Sequence, residues 1–255
     1  MQTNTFLQSI KKRKPQVGLW ISLCSNYAAD IVSTAGYDWA LLDMEHSPNE
    51  VGMVMSQMQA FLSGNTATIA RPMWNDSVVV KRLMDIGSQS LLFPMVQSAE
   101  EAKAAVRATR YPPEGVRGVS GTQRGNHFGR IKNYFEQVHK ETCVIVQIET
   151  MHALNQLEEI ASVDGVDGVF FGPADLAADM GKLGQVTDAQ LWERIGNAAK
   201  AVEAVGKPAG TLMMDAAKAA SLLNDSFTFV ACGSDLGLLA RGADNLLADV
   251  RKDLN

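Results

Sequence analysis

The feature that most constrains the fold of this chain is a regular alternation of short apolar segments with helical segments. Helical segments are predicted at about 28–35, 50–62, 76–86, 99–109 and 236–254. The apolar segments are rich in β-branched residues and predict eight strands, at 17–23, 39–42, 67–70, 90–93, 143–148, 168–171, 209–213 and 227–231. Such alternation over 255 residues is typical of an α/β fold of the parallel (β/α)8, or TIM-barrel, type.

The alternative with the same alternation is an open, doubly wound sheet. Its dinucleotide-binding form carries a G-x-G-x-x-G motif after the first strand, and no such motif is present there. We also find no internal repeat and no linker that would divide the chain. We therefore expect one barrel domain over residues 1–255.

Composition and charge exclude several classes of partner. The net charge of −5 disfavours a nucleic-acid backbone, because phosphate binding requires concentrated Lys and Arg. No apolar run is long enough for a membrane span, and the first 15 residues lack the apolar core of a signal peptide. The three cysteines have neither metal-binding nor redox spacing. These observations predict a cytoplasmic protein with no nucleic-acid or membrane partner.

Polar side chains follow several of the predicted strands at their carboxyl ends, where TIM barrels place their active sites. Each also has an ordinary interpretation as a helix cap, an exposed loop residue or a surface ion-pair partner. The residues concerned are Asp43 and His46 after the second strand, Arg71 after the third, Gln147 and Glu149 at the fifth, and Asp175 after the sixth.

Glu149 and Asp175 follow neighbouring strands and would place two carboxylates at the same edge of the sheet. Buried carboxylates side by side repel each other unless a proton or a cation lies between them. Ligands of this type, without His or Cys, suit a hard divalent cation such as Mg²⁺ or Mn²⁺. A helix N-cap and a first-turn acid remain the alternative roles for these two residues.

The predicted strands contain no lysine, which disfavours a Schiff-base aldolase. The nucleophile elbow G-x-S-x-G and the P-loop are also missing from the sequence. Residues 111–134, rich in Gly and Arg, form a long connection between the fourth and fifth strands. Connections of this length usually have a function or mediate contacts.

Several longer motifs together resemble one known family. They are L-D-M-E-H-S-P-N at 42–49, R-P at 71–72, A-T-R-Y-P-P-E-G-V-R-G-V at 108–119, V-Q-I-E-T at 146–150, G-V-D-G-V-F-F-G-P-A-D-L at 165–176 and G-S-D-L at 233–236. Through them the whole chain resembles the HpcH/HpaI aldolases, metal-dependent class II enzymes on a TIM barrel of the phosphoenolpyruvate/pyruvate type. One departure is Met44, where relatives usually carry glycine, and we expect it to reshape the aldehyde side of the pocket.

The resemblance implies a reaction and a cofactor. A 4-hydroxy-2-oxo (2-keto-3-deoxy) acid would be cleaved reversibly to pyruvate and an aldehyde, with Mg²⁺, Mn²⁺ or Co²⁺ bound and with hydroxypyruvate as another possible donor. The details of the motifs favour the 2-dehydro-3-deoxyglucarate branch over the hydroxy-oxo-heptanedioate branch. The alternatives are a lyase acting on CoA thioesters, an enzyme using phosphoenolpyruvate, and a barrel that binds metal without catalysis.

The resemblance also implies a role for each residue that matches a family motif. The residues with implied roles are Glu149 and Asp175 as metal ligands, His46 as acid and base, Arg71 at the keto oxygen, Gln147 against pyruvate, the backbone of Gly172, Pro173, Ala174 and Asp175 at its carboxylate, Asp43 as orienter of His46 or a metal-bound water, Asp85 as partner of the histidine across a subunit boundary, and Arg124 in the loop that closes the pocket.

Finally, the resemblance implies a homo-oligomer, since family members are commonly hexamers built as dimers of trimers. The closing helix, 236–254, would then pack on or be exchanged with a neighbouring subunit. Its leucines suit that role, but they could equally cover the chain's own barrel; they are Leu236, Leu238, Leu239, Leu246 and Leu247.

Overall fold

The computed structural model describes residues 1–252 and 254. Eight parallel strands close into a barrel in chain order, with the first strand paired to the last. The strands are β1 (Gln16–Ile21), β2 (Trp39–Asp43), β3 (Ala67–Arg71), β4 (Ser90–Phe93), β5 (Cys143–Ile148), β6 (Gly168–Phe171), β7 (Ala209–Leu212) and β8 (Phe229–Ser234). The predicted (β/α)8 barrel is confirmed, and six of the strands have the predicted first residue and differ at most at the last.

Helices surround the barrel, and most of those that follow a strand begin at a Ser, Thr or Asp side chain that accepts a backbone N–H of the first turn. The helices are α1 (Thr5–Lys11), α2 (Asn26–Ser33), α3 (Val51–Ala60), α4 (Ser77–Asp85), α5 (Ala99–Thr109), α6 (Tyr134–Gln137), α7 (Met151–Asn155), α8 (Leu157–Ala161), α9 (Pro173–Asp179), α10 (Ala189–Ala204), α11 (Ala216–Leu223) and α12 (Asp235–Lys252). Short 3-10 turns lie at Phe61–Ser63, Arg124–Asn126 and Val138–Glu141.

Helix α1 was not predicted from the sequence. Asn4 caps the helix by accepting the N–H of Leu7 at 3.0 Å. Phe6, Leu7 and Ile10 are buried, and the ring of Phe6 packs against Trp39 and Phe229 inside the barrel. The helix therefore closes the end of the barrel at which the strands begin.

Alternate residues of each strand point into the barrel, because side chains along a strand alternate between its two faces. Two large rings, Trp39 and Phe229, fill much of the interior. A Cβ on Gly18 would lie 2.1 Å from the ring of Trp39, and one on Gly210 would lie 2.2 Å from the ring of Phe229. These two glycines thus leave room for the aromatic filling of the barrel.

The same alternation decides which residues reach the open end of the barrel. Asp43 lies two residues beyond the inward-facing Leu41, and Arg71 lies two beyond Ile69. Met44, the residue after Asp43, belongs instead to the core between strands and helices and is 4% exposed. Met44 therefore does not line the cavity, and an effect on the aldehyde side of the pocket, acting through the packing around it, stays a prediction.

Helix α12 begins at Asp235 and ends at Lys252, so it nearly matches the predicted 236–254; Asp253 lies outside the described residues. Only Asp235 and Gly237 of this helix are buried. The five leucines named above are 50–69% exposed, so they do not cover the chain's own barrel. Within the described residues, no helix combines the length and hydropathy that a bilayer span requires.

Candidate active site

The centre of the candidate site is a guanidinium group held between two carboxylates at the carboxyl ends of β2 and β3. Asp43 and Arg71 are paired in register on these adjacent strands. Arg71 Nε donates to Asp43 Oδ1 at 2.8 Å, and Nη2 donates to Oδ2 at 2.7 Å. Such a bidentate pair fixes the plane of the guanidinium. Trp20 covers this pair, with its ring centroid 4.9 Å from Arg71 Cζ and its indole N–H donating to Asp43 at 3.2 Å.

Asp43 is 1% exposed, and burial alone would raise the pKa of its carboxyl. The hydrogen bonds and charge of Arg71, with the N–H of Glu45 and the indole of Trp20, outweigh burial and lower the pKa of Asp43 below its usual value. Asp43 therefore stays ionised and holds Arg71 in place.

Glu45 belongs to the site, although it was not singled out in the sequence. Its Oε2 lies 2.7 Å from Arg71 Nη1 as an ion pair without hydrogen-bond geometry. Burial raises the pKa of Glu45, and Asp43 and Asp175 add repulsion, while Arg71 and His46 oppose the shift. One signal could have found it: Glu45 lies two residues beyond the inward-facing Asp43.

His46 lines the mouth of the pocket with its side chain 66% exposed. Its Nε2 lies 3.9 Å from Glu45 Oε2. Asp43 accepts the backbone N–H of His46 at 3.5 Å, so it contacts the main chain of this residue and not its ring. The neighbouring acid of the imidazole in this chain is therefore Glu45.

Glu149 follows β5 and is 2% exposed. Its Oε1 accepts the side-chain N–H of Gln147 at 2.8 Å, and its Oε2 accepts the backbone N–H of Met95 at 2.7 Å. Burial raises the pKa of Glu149 to about 8; the Met95 N–H and Arg71 oppose the shift, and Glu45 and Asp175 add to it. Met95 has a φ of 53°, an unusual value for a residue with a side chain.

Asp175 lies in the first turn of α9 and is exposed to the cavity. The expectation of two buried carboxylates therefore holds for Glu149 but not for Asp175. Gly172, just before this helix, packs tightly on the site: a Cβ there would lie 2.8 Å from Glu149 Cγ and 3.2 Å from Gln147 Nε2. Only a glycine leaves this space to the two side chains.

A cavity of about 280 Å³ opens above these groups. Its lining combines the polar groups described above with the apolar side chains of Phe170, Leu212 and Met214. The lining residues are Trp20, Ser22, Asp43, His46, Arg71, Gln147, Phe170, Gly172, Pro173, Ala174, Asp175, Leu212, Met214 and Ser234. Most of the residues predicted for the site thus meet at one cavity, with Glu149 directly beside Gly172 and Gln147.

The donor set at this cavity suits a hard divalent cation. Asp43 and Glu45 contact the guanidinium of Arg71, and Glu149 and Asp175 lie near Glu45. Gln147 Oε1 is buried and has no hydrogen-bond partner among the described residues. Within residues 1–252 and 254, no three His, Cys, Asp or Glu side chains are arranged to hold an ion by themselves. A cation here would take Glu149 and Asp175 and complete its coordination with water and substrate oxygens.

Two residues with an implied role lie elsewhere in the chain. Arg124 donates to the carbonyl of Ile86 and lines a cavity with Thr66 and Ser90, at the end where the strands begin. Arg124 therefore does not line the site cavity within one chain, and its place in the closing face of the pocket stays a prediction. Asp85, the last residue of α4, lies at the same end and pairs with Arg117 at 2.8 Å, so it can approach a His46 only in another copy of the chain.

Comparisons with known proteins show the family and the fold of this chain. The family model described as HpcH/HpaI aldolase/citrate lyase matches residues 16–242. A 4-hydroxy-2-oxo-heptane-1,7-dioate aldolase from Klebsiella pneumoniae is 48% identical over 96% of this chain and 93% of its own length. A crystal structure of an HpcH/HpaI aldolase/citrate lyase family protein from Burkholderia cenocepacia has a TM-score of 0.94 and 34% identity, covering 98% of this chain and 100% of that one. An HpcH/HpaI aldolase from Desulfitobacterium hafniense has a TM-score of 0.84 and 26% identity, covering 97% and 96%.

Proposed function

This chain belongs to the HpcH/HpaI aldolase/citrate lyase family, and from that premise we propose how its cavity carries out an aldol cleavage. The chain is an aldolase, a carbon–carbon lyase that cleaves a 4-hydroxy-2-oxo acid to pyruvate and an aldehyde. The observation that carries the proposed chemistry is the guanidinium of Arg71, fixed by Asp43 and Glu45 beside the buried Glu149.

We propose that Glu149 and Asp175 hold a divalent cation, Mg²⁺, Mn²⁺ or Co²⁺. A bound cation would act as a Lewis acid toward the 2-oxo group. Gln147 would contact the substrate through its Oε1, which has no partner among the described residues, and the backbone of residues 172–175 would receive the substrate carboxylate. Helix α9 begins there, and a helix N-terminus favours an anion.

Arg71 would lie against the keto oxygen and stabilise the negative charge that develops there. Because Asp43 and Glu45 hold the guanidinium before substrate arrives, this stabilisation requires no rearrangement during the reaction. His46, at the exposed rim, would remove the proton of the C4 hydroxyl. The C3–C4 bond then breaks and releases the aldehyde. The electrons of that bond form the pyruvate enolate, and a proton returns to C3.

The reverse reaction joins pyruvate, or a small 2-oxo acid such as hydroxypyruvate, to an aldehyde. We further propose that the active form is a homo-oligomer, a hexamer built as a dimer of trimers. Helix α12 would pack on or be exchanged with a neighbouring subunit, and Asp85 of one copy would approach His46 of another. The three free cysteines agree with a cytoplasmic location.

The test is pyruvate release from a panel of 4-hydroxy-2-oxo acids, measured with EDTA and again after Mg²⁺ or Mn²⁺ is restored. We expect release to stop with the chelator and to return with the metal, and Glu149→Gln to abolish the return. Release that survives chelation would contradict the metal site. No release from any acid would contradict the aldolase and direct assays to CoA thioesters and phosphoenolpyruvate.

A further inference from the structure

Asp235 is a buried carboxylate that the proposed chemistry does not use. It is the first residue of α12 and is 5% exposed. Its Oδ1 accepts the backbone N–H groups of Ser22 at 2.8 Å and Leu236 at 2.7 Å, and its Oδ2 accepts the N–H of Leu23 at 3.1 Å. No Lys, Arg or His within residues 1–252 and 254 forms an ion pair with it, so backbone donors alone stabilise its charge.

Capping the helix does not by itself explain this carboxylate. The hydroxyl of Ser234 already accepts the N–H of Gly237 at 3.0 Å and so serves the first turn of α12. Two of the three bonds of Asp235 lead instead to the loop that follows β1, more than 200 positions earlier in the chain. The carboxylate therefore joins the start of α12 to this loop.

The loop after β1 forms part of the wall of the active-site cavity. Ser22 lines the cavity next to Trp20, and Ser234 lines it from the β8 side. Cys24, at the end of the loop, has its Sγ 4.0 Å from the hydroxyl of Ser47, the residue after His46. The loop held by Asp235 thus lies between the start of α12 and the loop that carries His46.

We propose that Asp235 is a positioning residue that holds the loop of Ser22 and Leu23, so that Ser22 forms part of the wall against which the aldehyde half of the substrate binds. This rests on the proposed function, in which the 2-oxo acid half binds at β5 and β6. In the closed barrel β1 lies opposite β5, so its loop meets the far half of the substrate. Loss of the carboxylate would then weaken binding of the complete substrate while leaving pyruvate chemistry intact.

The experiment compares Asp235→Asn and Asp235→Ala with the metal-loaded wild-type enzyme. One assay measures KM and kcat for cleavage of the best 4-hydroxy-2-oxo acid. The other follows exchange of the C3 protons of pyruvate with deuterium from the solvent by NMR, which requires enolate formation but no aldehyde. Asp244→Asn, an exposed carboxylate on the same helix, is the matched control.

We expect Asp235→Asn to raise KM about tenfold, the usual effect of losing one hydrogen bond to a charged group, and Asp235→Ala to raise it further. The amide of Asn can keep the bonds made by Oδ1 but not the bond to Leu23, which is why its effect should be intermediate. Pyruvate exchange should stay within about twofold of wild type in both variants, and Asp244→Asn should resemble wild type in both assays.

Three results would overturn the proposal. An unchanged KM in both Asp235 variants, with normal wild-type cleavage, would show that the loop does not need this carboxylate. Equal losses of cleavage and exchange in Asp235→Asn would show a role in folding only. A wild-type enzyme that exchanges the pyruvate protons but cleaves no acid would contradict the proposed function, and the Asp235 proposal with it.

Discussion

At the residue scale, the cavity brings more negative charge together than its single guanidinium can balance. Asp43 and Glu45 both contact Arg71, which leaves Glu149 and Asp175 without a cationic partner among the described residues. Burial raises the pKa of Glu149 to about 8, and repulsion from Glu45 and Asp175 adds to the shift. Without a metal, a proton on Glu149 below that pH relieves the repulsion. The same property makes metal binding compete with that proton.

This competition predicts a pH dependence of metal binding. Below pH 8 a cation must displace the proton of Glu149, so its affinity should rise about tenfold per pH unit from pH 6 to near pH 8 and then level off. Isothermal titration calorimetry with Mn²⁺ at several pH values measures this affinity. Glu149→Gln, which carries no titrating group, should bind weakly with a flat profile, and a flat wild-type profile would contradict the prediction.

The raised pKa of Glu149 also determines the direction in which the free energy of unfolding changes with pH. The metal-free folded state holds the proton of Glu149 up to about pH 8, whereas the unfolded state releases it near the usual value of 4.5. The folded state therefore binds more protons in this window, and the metal-free protein should lose stability as pH rises through it. Glu149→Gln should weaken this decline in a series of thermal unfolding curves.

At the scale of elements, the connection between β4 and β5 is anchored to α4 by one buried ion pair. The side chain of Arg117 is fully buried, donates to Asp85 Oδ1 at 2.8 Å and lies 4.6 Å above the ring of Tyr111. Its Nε and Nη1 have no hydrogen-bond partner in the part of the chain that the structure describes. The side chain of Asp85 is 27% exposed, whereas that of Arg117 is fully buried. If the ion pair is broken, water can therefore solvate Asp85 but not Arg117.

We therefore predict unequal costs for breaking this pair. Asp85→Asn leaves a buried guanidinium without its carboxylate and should cost about 3–5 kcal/mol of unfolding free energy. Arg117→Met keeps much of the volume and leaves a carboxylate that water reaches, so it should cost less than about 2 kcal/mol. Urea unfolding of both variants and of the double variant measures the difference. A greater loss in Arg117→Met would contradict this account.

At the scale of the whole molecule, a long helix stands with its apolar side unpaired. Along α12 the residues Leu239, Leu246 and Val250 recur at helical spacing and are 54–69% exposed. Asp85 and Arg124 lie at one end of the barrel, and His46 lies at the other. Both facts agree with an assembly in which copies of the chain complete each other.

We predict that wild-type protein is an oligomer and that the triple change Leu239→Ser, Leu246→Ser and Val250→Ser reduces its mass toward that of a monomer. The exposed face would lose the apolar area that drives association. Light scattering after size-exclusion chromatography gives the mass, with Asp244→Asn as the control on the same helix. An unchanged mass in the triple variant would exclude this face as the contact.

The sequence by itself determined the barrel and the core of the site. Alternating apolar segments predict parallel strands, and the two-residue period of a strand fixes Asp43, Arg71 and Gln147 on the inner face at one end. These inferences need only local periodicity and one rule about where strand ends meet.

Only the tertiary structure decided which groups touch. It placed α1 in the base of the barrel, turned Met44 outward and joined Glu45 to Arg71. It also carried Arg124 to the far end of the barrel and linked Asp235 to the loop after β1. Some of these contacts join residues that are distant in sequence, and others depend on which face of a strand end a residue occupies. Both result from the packing of the closed barrel, which no local sequence pattern encodes.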